Sequence, residues 1–353
     1  MGERGSGKAL VMAKRDLGAF ARHLAASYLV LAPIVEGGVT RFAVAGVDDI
    51  GGFGDRESVP APSKRPLKEV FFPQEEVLLA FDAGGKVEVA AGAAAPADEV
   101  TRVAFGVRPC DARSLTLLDL VFDAADYKDP YYVGRRQGTA VVTFACTEPG
   151  VACFCTSVGG GPSDEAGSDL MLAEAGESYL VKPLSARGEG LLRGFDAVRE
   201  AGDVELAAAR DAEARAVGRV ARDVPVDAAV EKLAGAFGDA VWEDLYRKCL
   251  GCAVCTYLCP TCHCFDIGDE ATRAGGERVR NWDSCMFPLF TLHASGHNPR
   301  PSRKERFRQR IMHKFNYFVE NNGRVACVGC GRCVENCPVN LDVRRVLETI
   351  AAL

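Results

Sequence analysis

Between residues 101 and 146 the apolar positions come in unbroken runs. RVAFGV (102–107) and TAVVTFAC (139–146) read as strands buried on both faces. Between them RPCDARS reads as a turn and LTLLDLVF as a helix. Strand, turn, helix, strand predicts an α/β layer, a fold that gathers ligands at the carboxyl ends of its strands. Upstream, Leu17, Phe20 and Leu24 recur on one helical face, with His23 as a surface histidine beside them. Short apolar runs at 28–31, 40–44, 77–81 and 87–90 predict further strands, and 46–66, dense in Gly, Pro, Asp and Ser, predicts a long surface loop.

Downstream, 170–183 finishes this layer with strands, and the Ala-rich, mixed-charge stretch 203–217 predicts an exposed helix. Asp223 to Asp227 marks another helix start, after which Val230, Leu233, Phe237, Val241 and Leu245 follow at near-helical spacing. At the end of the chain Leu341, Val343, Val346, Leu347 and Ile350 share a face, with Asn340 as a plausible N-cap. The pattern divides the chain into a flexible tail (1–12), an α/β domain (13–220) that could carry an extra cluster and dock a partner, and a helical domain (221–353). The fold class is α+β.

The helical part contains one pattern twice. Cys249, Cys252, Cys255 and Cys259 precede Pro260; Cys327, Cys330, Cys333 and Cys337 precede Pro338. Both copies read C-x2-C-x2-C-x3-C-P, the run that ligates [4Fe–4S] clusters in two-cluster ferredoxins, where the fourth cysteine serves the other cluster. One cluster is therefore assigned to Cys249, Cys252, Cys255 and Cys337, the second to Cys327, Cys330, Cys333 and Cys259. Gly251, Gly329 and Gly331 lie between ligands, where a missing Cβ permits close approach to sulfur. Zinc fits poorly, because its sites draw two ligands from each of two separated pairs. Sixty-seven residues separate Cys259 from Cys327, too many for a compact β-rich ferredoxin. That length predicts an α-helical ferredoxin, with helices before, between and after the motifs.

Composition narrows the setting. The 353 residues allow two or three domains, and the net charge of −6 argues against a general nucleic-acid binder. Fifteen cysteines without a secretory signal point to a reducing cytoplasm, and no stretch is apolar for long enough to span a bilayer. The G-x4-G-K spacing from Gly2 to Lys8 is followed by Ala9 where a phosphate loop needs Ser or Thr, so it reads as tail.

Other side chains leave alternatives open. Cys110, Cys146, Cys153 and Cys155 fall near strand ends and read either as a third [4Fe–4S] site or as buried apolar thiols, with a redox-active disulfide as a lesser option. Cys262, Cys264 and Cys285 read as packing around the clusters, or as an additional metal site with His263 or Asp266. His293 and His297 read as polar surface groups. Arg300, Arg303, Lys304, Arg306, Arg308, Arg310 and Lys314 form a basic run, read first as a solvated helix face. The functional readings are a docking surface for an acidic partner or a positive field that eases cluster reduction.

The segments GVRPCDARSL, CFCTS, KCLGCAVCTYLCPTCHCFDI, WDSC, HNPRPSRKERFRQR and CVGCGRCVENCPVN together resemble the β subunit of cytoplasmic sulfhydrogenases and the A subunit of anaerobic sulfite reductase. The resemblance runs from about residue 30 onward and carries over the eight motif cysteines position for position. It implies a subunit that passes electrons between an NAD(P)H-oxidising flavoprotein and a catalytic subunit, a [NiFe] hydrogenase in one case and a siroheme protein in the other. The chain itself shows no G-x-G-x-x-G after a strand, no Ser–His–Asp and no H-E-x-x-H signal. The expected function is a non-catalytic, single-electron relay. Its rivals are an N-terminal cluster acting directly on a sulfur substrate and a redox-sensing scaffold.

Overall fold

The computed structural model describes residues 9–46, 63–90 and 100–353. The Gly2–Lys8 spacing and most of the predicted loop at 46–66 lie outside them. The chain forms two compact units, each discontinuous in sequence: 1–71, 94–149 and 160–220 make the first, and 72–93, 150–159 and 221–353 the second. The second unit thus draws two short segments from the stretch assigned by sequence to the N-terminal domain.

Strands are numbered along the chain as β1 (Leu10–Ala13), β2 (Leu29–Glu36), β3 (Val39–Val44), β4 (Glu75–Asp82), β5 (Val87–Val89) and β6 (Arg102–Val107). They continue as β7 (Thr139–Phe144), β8 (Leu170–Ala175), β9 (Ser178–Pro183), β10 (Arg199–Glu200), β11 (Phe265–Thr272) and β12 (Gly275–Trp282). The first unit is built on one eight-stranded sheet in the order β10-β1-β9-β8-β7-β6-β2-β3. Its centre is parallel, through β2, β6, β7 and β8, and its flanks are antiparallel. The unbroken apolar runs occupy the buried centre, as a sheet covered on both faces requires. Phe105 and Phe144 meet edge to face at 5.2 Å, and Phe20 and Leu24 of the helix Leu17–Ala25 pack in the same core.

Two expectations are corrected here. Residues 10–12 are not tail: β1 pairs with β9 and β10, and Val11 and Met12 are buried. RPCDARS is not a turn, because the helix Pro109–Phe122 begins directly after Arg108. Proline suits the first helical position, where its missing N–H would be unpaired anyway and its φ is preset.

In the second unit a four-stranded antiparallel sheet, β11-β12-β4-β5, stands beside helices that share one apolar core. Leu233, Trp242, Phe307, Ile311, Phe315, Leu347 and Ile350 meet there, from helices before, between and after the cysteine motifs. The connection between the motifs, expected to be helical, also carries the β11–β12 hairpin. Every residue of β11 is exposed, so no alternation of apolar and polar positions announces it. The last helix, Val343–Ala351, is capped by Asp342, whose carboxylate accepts from Arg344 N at 2.9 Å. Asn340, the expected cap, instead takes a positive φ of 51°.

β4 is fastened to β12 by a buried ion pair. Glu76 and Arg280 face each other in register, both almost fully buried, and Arg280 Nε donates to Glu76 Oε2 at 3.0 Å. The guanidinium also lies over the rings of Phe72 and Phe265 at 5.1 and 5.4 Å. Glu76→Ala leaves that cation buried and uncompensated, a loss of about 3–5 kcal/mol. Hydrogen exchange should rise across β4 and β12 in this variant, with little change in the first unit.

Candidate metal centre

The two cysteine motifs fold alike. In each, the second residue after the first cysteine is a glycine in the left-handed region, Gly251 at φ 73° and Gly329 at 64°. The residue after the second cysteine repeats that conformation: Ala253 at 63° in the first motif, Gly331 at 76° in the second. A short helix follows in each case, Val254–Tyr257 carrying Cys255 and Arg332–Glu335 carrying Cys333. Ala253 takes up a conformation that costs an L-residue about 1 kcal/mol or more. The glycines of the second motif serve a further purpose. A Cβ on Gly329 would lie 2.5 Å from the backbone nitrogen of Cys155, and one on Gly331 would lie 2.8 Å from Ala152. Segment 150–159 is thus laid directly on the second loop, with Phe154 N donating to Gly329 O at 2.8 Å.

The thiols line adjacent cavities. Cys249, Cys252 and Cys255 of the first motif face one together with Cys337 of the second. Cys327, Cys330 and Cys333 face the next together with Cys259 of the first motif. Cys333 and Arg310 belong to the walls of both. The remaining walls are largely apolar, with Met286, Phe307 and Val343 around the first and Phe154, Phe315 and Val343 around the second. Backbone amides reach the sulfurs: Gly329 N donates to Cys327 Sγ at 3.5 Å and Leu341 N to Cys337 Sγ at 3.2 Å.

Only part of the basic run is the solvated face expected of it: Arg306, Arg310 and Lys314 turn inward. Ser302 and Glu305 form a capping box that starts the helix Arg303–Met312. A π-helical turn, His313–Tyr317, continues it, and Phe318–Asn322 closes it. Arg306, Arg310 and Lys314, spaced by four, point inward and are 5–7% exposed. Arg306 ties loop carbonyls, donating to Met286 O at 3.0 Å and Pro301 O at 2.9 Å. Lys314 Nζ donates to Cys259 Sγ at 3.3 Å, to Thr261 Oγ1 at 2.9 Å and to Ala326 O at 2.9 Å. Arg310 donates to Cys255 O at 3.2 Å, while its buried Nε has no hydrogen-bond partner among the described residues. The outward residues are held as well: Arg303 on Cys249 O, Lys304 on Glu243, and Arg308 over the Phe237 ring at 3.8 Å.

Charge and burial oppose each other at these thiols. Burial pushes Cys327 up to about 12 and Cys330 up to about 11, against the pull of Lys314 and Arg332 respectively. Burial likewise raises Cys249, Cys255 and Cys333. Cys259 goes the other way: a hydrogen bond from Cys262 lowers it most, assisted by Lys314 and Arg310. Buried thiols flanked by buried cations suit an anionic occupant, because metal binding removes the protons that burial retains. The orphaned Arg310 Nε, aimed among sulfurs in an apolar wall, fits the same occupant. The donor set, at least four thiols to a cavity with amide donors and no competing oxygen ligand in either lining, suits a [4Fe–4S] cluster.

The other candidates are distributed differently. Cys110 opens the helix after β6, and Cys146 follows the parallel neighbour β7, so both lie at carboxyl ends of first-unit strands. Burial raises the Cys146 thiol, opposed by Arg108. Cys153 and Cys155 belong to the second unit, where Cys153 Sγ donates to Cys330 O at 3.8 Å. Neither unit by itself assembles that four-thiol set. His293 and His297 meet edge to face at 5.4 Å in an exposed turn. Sequence reasoning missed Arg310 and Lys314 as individual site residues. Their spacing by four along a cysteine-flanked helix was the available signal.

A model of the 4Fe-4S dicluster domain matches residues 248–341. Sulfhydrogenase 2 subunit beta of Pyrococcus furiosus is 33% identical over 329 residues, 91% of this chain and 92% of that protein. The chain belongs to the sulfhydrogenase β-subunit family. No solved structure matches it significantly. As a member of that family with a 4Fe-4S domain, it is an iron–sulfur electron-transfer subunit. Among the described residues no helix is long and apolar enough to cross a membrane.

For this family member the buried cations have a measurable consequence. Removing positive charge beside a bound cluster disfavours the added electron, so Lys314→Met should lower a midpoint potential. A unit charge about 4 Å away is worth about 4 kcal/mol at an effective dielectric of 20, and 1.4 kcal/mol corresponds to about 59 mV per electron; the drop is on the order of 100 mV. EPR-monitored redox titration checks it, with Arg308→Met, on the outer face, as the unchanged control.

Proposed function

We propose that this chain relays single electrons within a multi-subunit oxidoreductase, between an NAD(P)H-oxidising flavoprotein and a catalytic subunit of the [NiFe] hydrogenase or siroheme type. The observation that carries the reading is the pair of adjacent cavities, the first lined by three thiols of the first motif with Cys337 and Cys333 of the second, the other by three thiols of the second motif with Cys259 of the first. We assign Cys249, Cys252, Cys255 and Cys337 as ligands of one [4Fe–4S] cluster and Cys327, Cys330, Cys333 and Cys259 as ligands of the second. When bound, such clusters supply reversible one-electron transfer. The chain's own residues hold them close together, exclude water with Met286, Phe154, Phe307 and Phe315, and bias them with Arg310 and Lys314. The helices before, between and after the motifs support an α-helical ferredoxin as the architecture of the second unit, with the β-hairpin added. The first unit, in this reading, is the platform on which partner subunits dock.

The reading of Pyrococcus furiosus sulfhydrogenase as a multi-subunit enzyme supports partner subunits here too, since a β subunit implies others. The test is anaerobic stopped-flow spectroscopy of the isolated chain and of the purified complex with NADPH. The complex should bleach at the iron–sulfur wavelengths and the isolated chain should not. Reduction of the isolated chain by NADPH at the same rate would sink the relay reading.

Ligand crossover has its own check. Cys337→Ser should perturb the EPR signal of the first-motif cluster and leave the second-motif signal in place. Loss confined to the second cluster would contradict the assignment.

A further inference from the structure

A third cavity opens beside Lys314, and three more thiols face it. Cys262, Cys264 and Cys285 line it together with His263, His313, Arg310, Lys314 and Thr261. Cys262 and Cys264 leave the first motif on the far side of Cys-Pro, and Cys285 arrives from the end of β12. The thiols are close: Cys264 meets Cys285, and Cys262 meets Cys259, a proposed ligand of the second cluster. Cys285 is 8% exposed. His263 and His313 face each other edge-on at 5.4 Å. His263 Nδ1 lies 3.0 Å from Thr261 O, which can only accept, so that nitrogen carries the proton and Nε2 carries the lone pair.

We propose that this cavity holds a third iron–sulfur cluster, ligated by Cys262, Cys264 and Cys285 with an imidazole of the His263–His313 pair completing the set. The inference builds on the iron–sulfur relay reading above and adds a site that the two motifs do not account for. Buried cysteines that merely pack want apolar neighbours. These three instead share their cavity with two cations that are each 5% exposed, the same two that line the second cavity. Burying a guanidinium and an ammonium together is costly without negative charge nearby, and a cluster held by cysteines facing the cavity would supply it. Among the described residues no three His, Cys, Asp or Glu side chains converge on one ion-sized point. That holds for the eight motif cysteines as well.

The test is iron, acid-labile sulfide and zinc per chain in the anaerobically purified full-length chain, free of partner subunits, for the wild type and for Cys264→Ser and Cys285→Ser made separately. The expected wild-type value is about twelve irons, falling to about eight in either variant, at four per cubane. The EPR signals of the motif clusters should persist in both variants, which shows that the fold survives. Wild-type protein with about eight irons and both motif signals overturns the third site while leaving the relay reading intact. A count that drops with Cys110→Ser or Cys146→Ser, and not with Cys264→Ser or Cys285→Ser, overturns it too. So does one zinc per chain that both variants lose, or a Cys264–Cys285 disulfide in the anaerobic protein. A count of about four irons with one motif signal missing would instead speak against the two-cluster assignment.

Discussion

Two buried cations set the terms for the second unit. Arg310 and Lys314 sit on one inward face of the helix that starts at Arg303, 5% exposed, in walls otherwise made of aliphatic and aromatic side chains. Among the described residues neither forms an ion pair with a carboxylate; their neighbours are Cys255, Cys259, Cys262, Cys327 and Cys333. A charge taken out of water without a counter-charge is strongly unfavourable, so the cations and the thiolates need one another. Burial alone would keep most of these sulfurs protonated, and the cations pull against it. Folding and loading are therefore one problem: the unit is complete when negative charge stands where the thiols converge.

The surrounding structure fits that demand. The π-helical turn at His313–Tyr317 interrupts the helix at Lys314, and such turns gather at functional sites because they re-aim side chains. Segment 150–159 covers the second loop, and the left-handed glycines Gly329 and Gly331 leave room for it. Arg344 secures its far side by donating to Val151 O at 2.9 Å. The first loop has the same backbone but no such cover, and Ala253 stands where the second has glycine. Cys252 is accordingly exposed, whereas Cys330 is not. A chemically repeated motif has been fitted to two different neighbourhoods, one open and one roofed.

Much of this was legible from sequence. The repeated cysteine spacing, the terminal amphipathic helix and the apolar runs of β6 and β7 are local patterns with their own periodicity. The family followed from the motif segments. What stayed hidden depends on partners far along the chain. A run such as RKERFRQRIMHK reads as solvated because its counter-charges are cysteines some fifty residues upstream, and a thiol does not register as charge. β11 has no buried face, so no periodicity marks it. The helix at Pro109 was obscured by RPCD, whose proline and aspartate serve turns and helix starts equally well. Nor does any local feature reveal that 72–93 folds with residues two hundred positions later, through Glu76 and Arg280.

The shared cations also bear on how the sites behave as a set. Arg310 lines all three cavities, Lys314 lines two, and Cys333 belongs to the walls of the first and second. In the relay reading, a positive charge common to adjacent clusters favours an added electron at each, so removing it would lower all of their potentials together. No single site is then tuned alone. Screening by salt cannot loosen this link, since the cations lie beyond the reach of solvent ions. The outward members of the basic run, Arg303, Lys304 and Arg308, are bound to the unit's own carbonyls, carboxylate and ring. In the relay reading, the charge that acts on the clusters is the buried charge of Arg310 and Lys314.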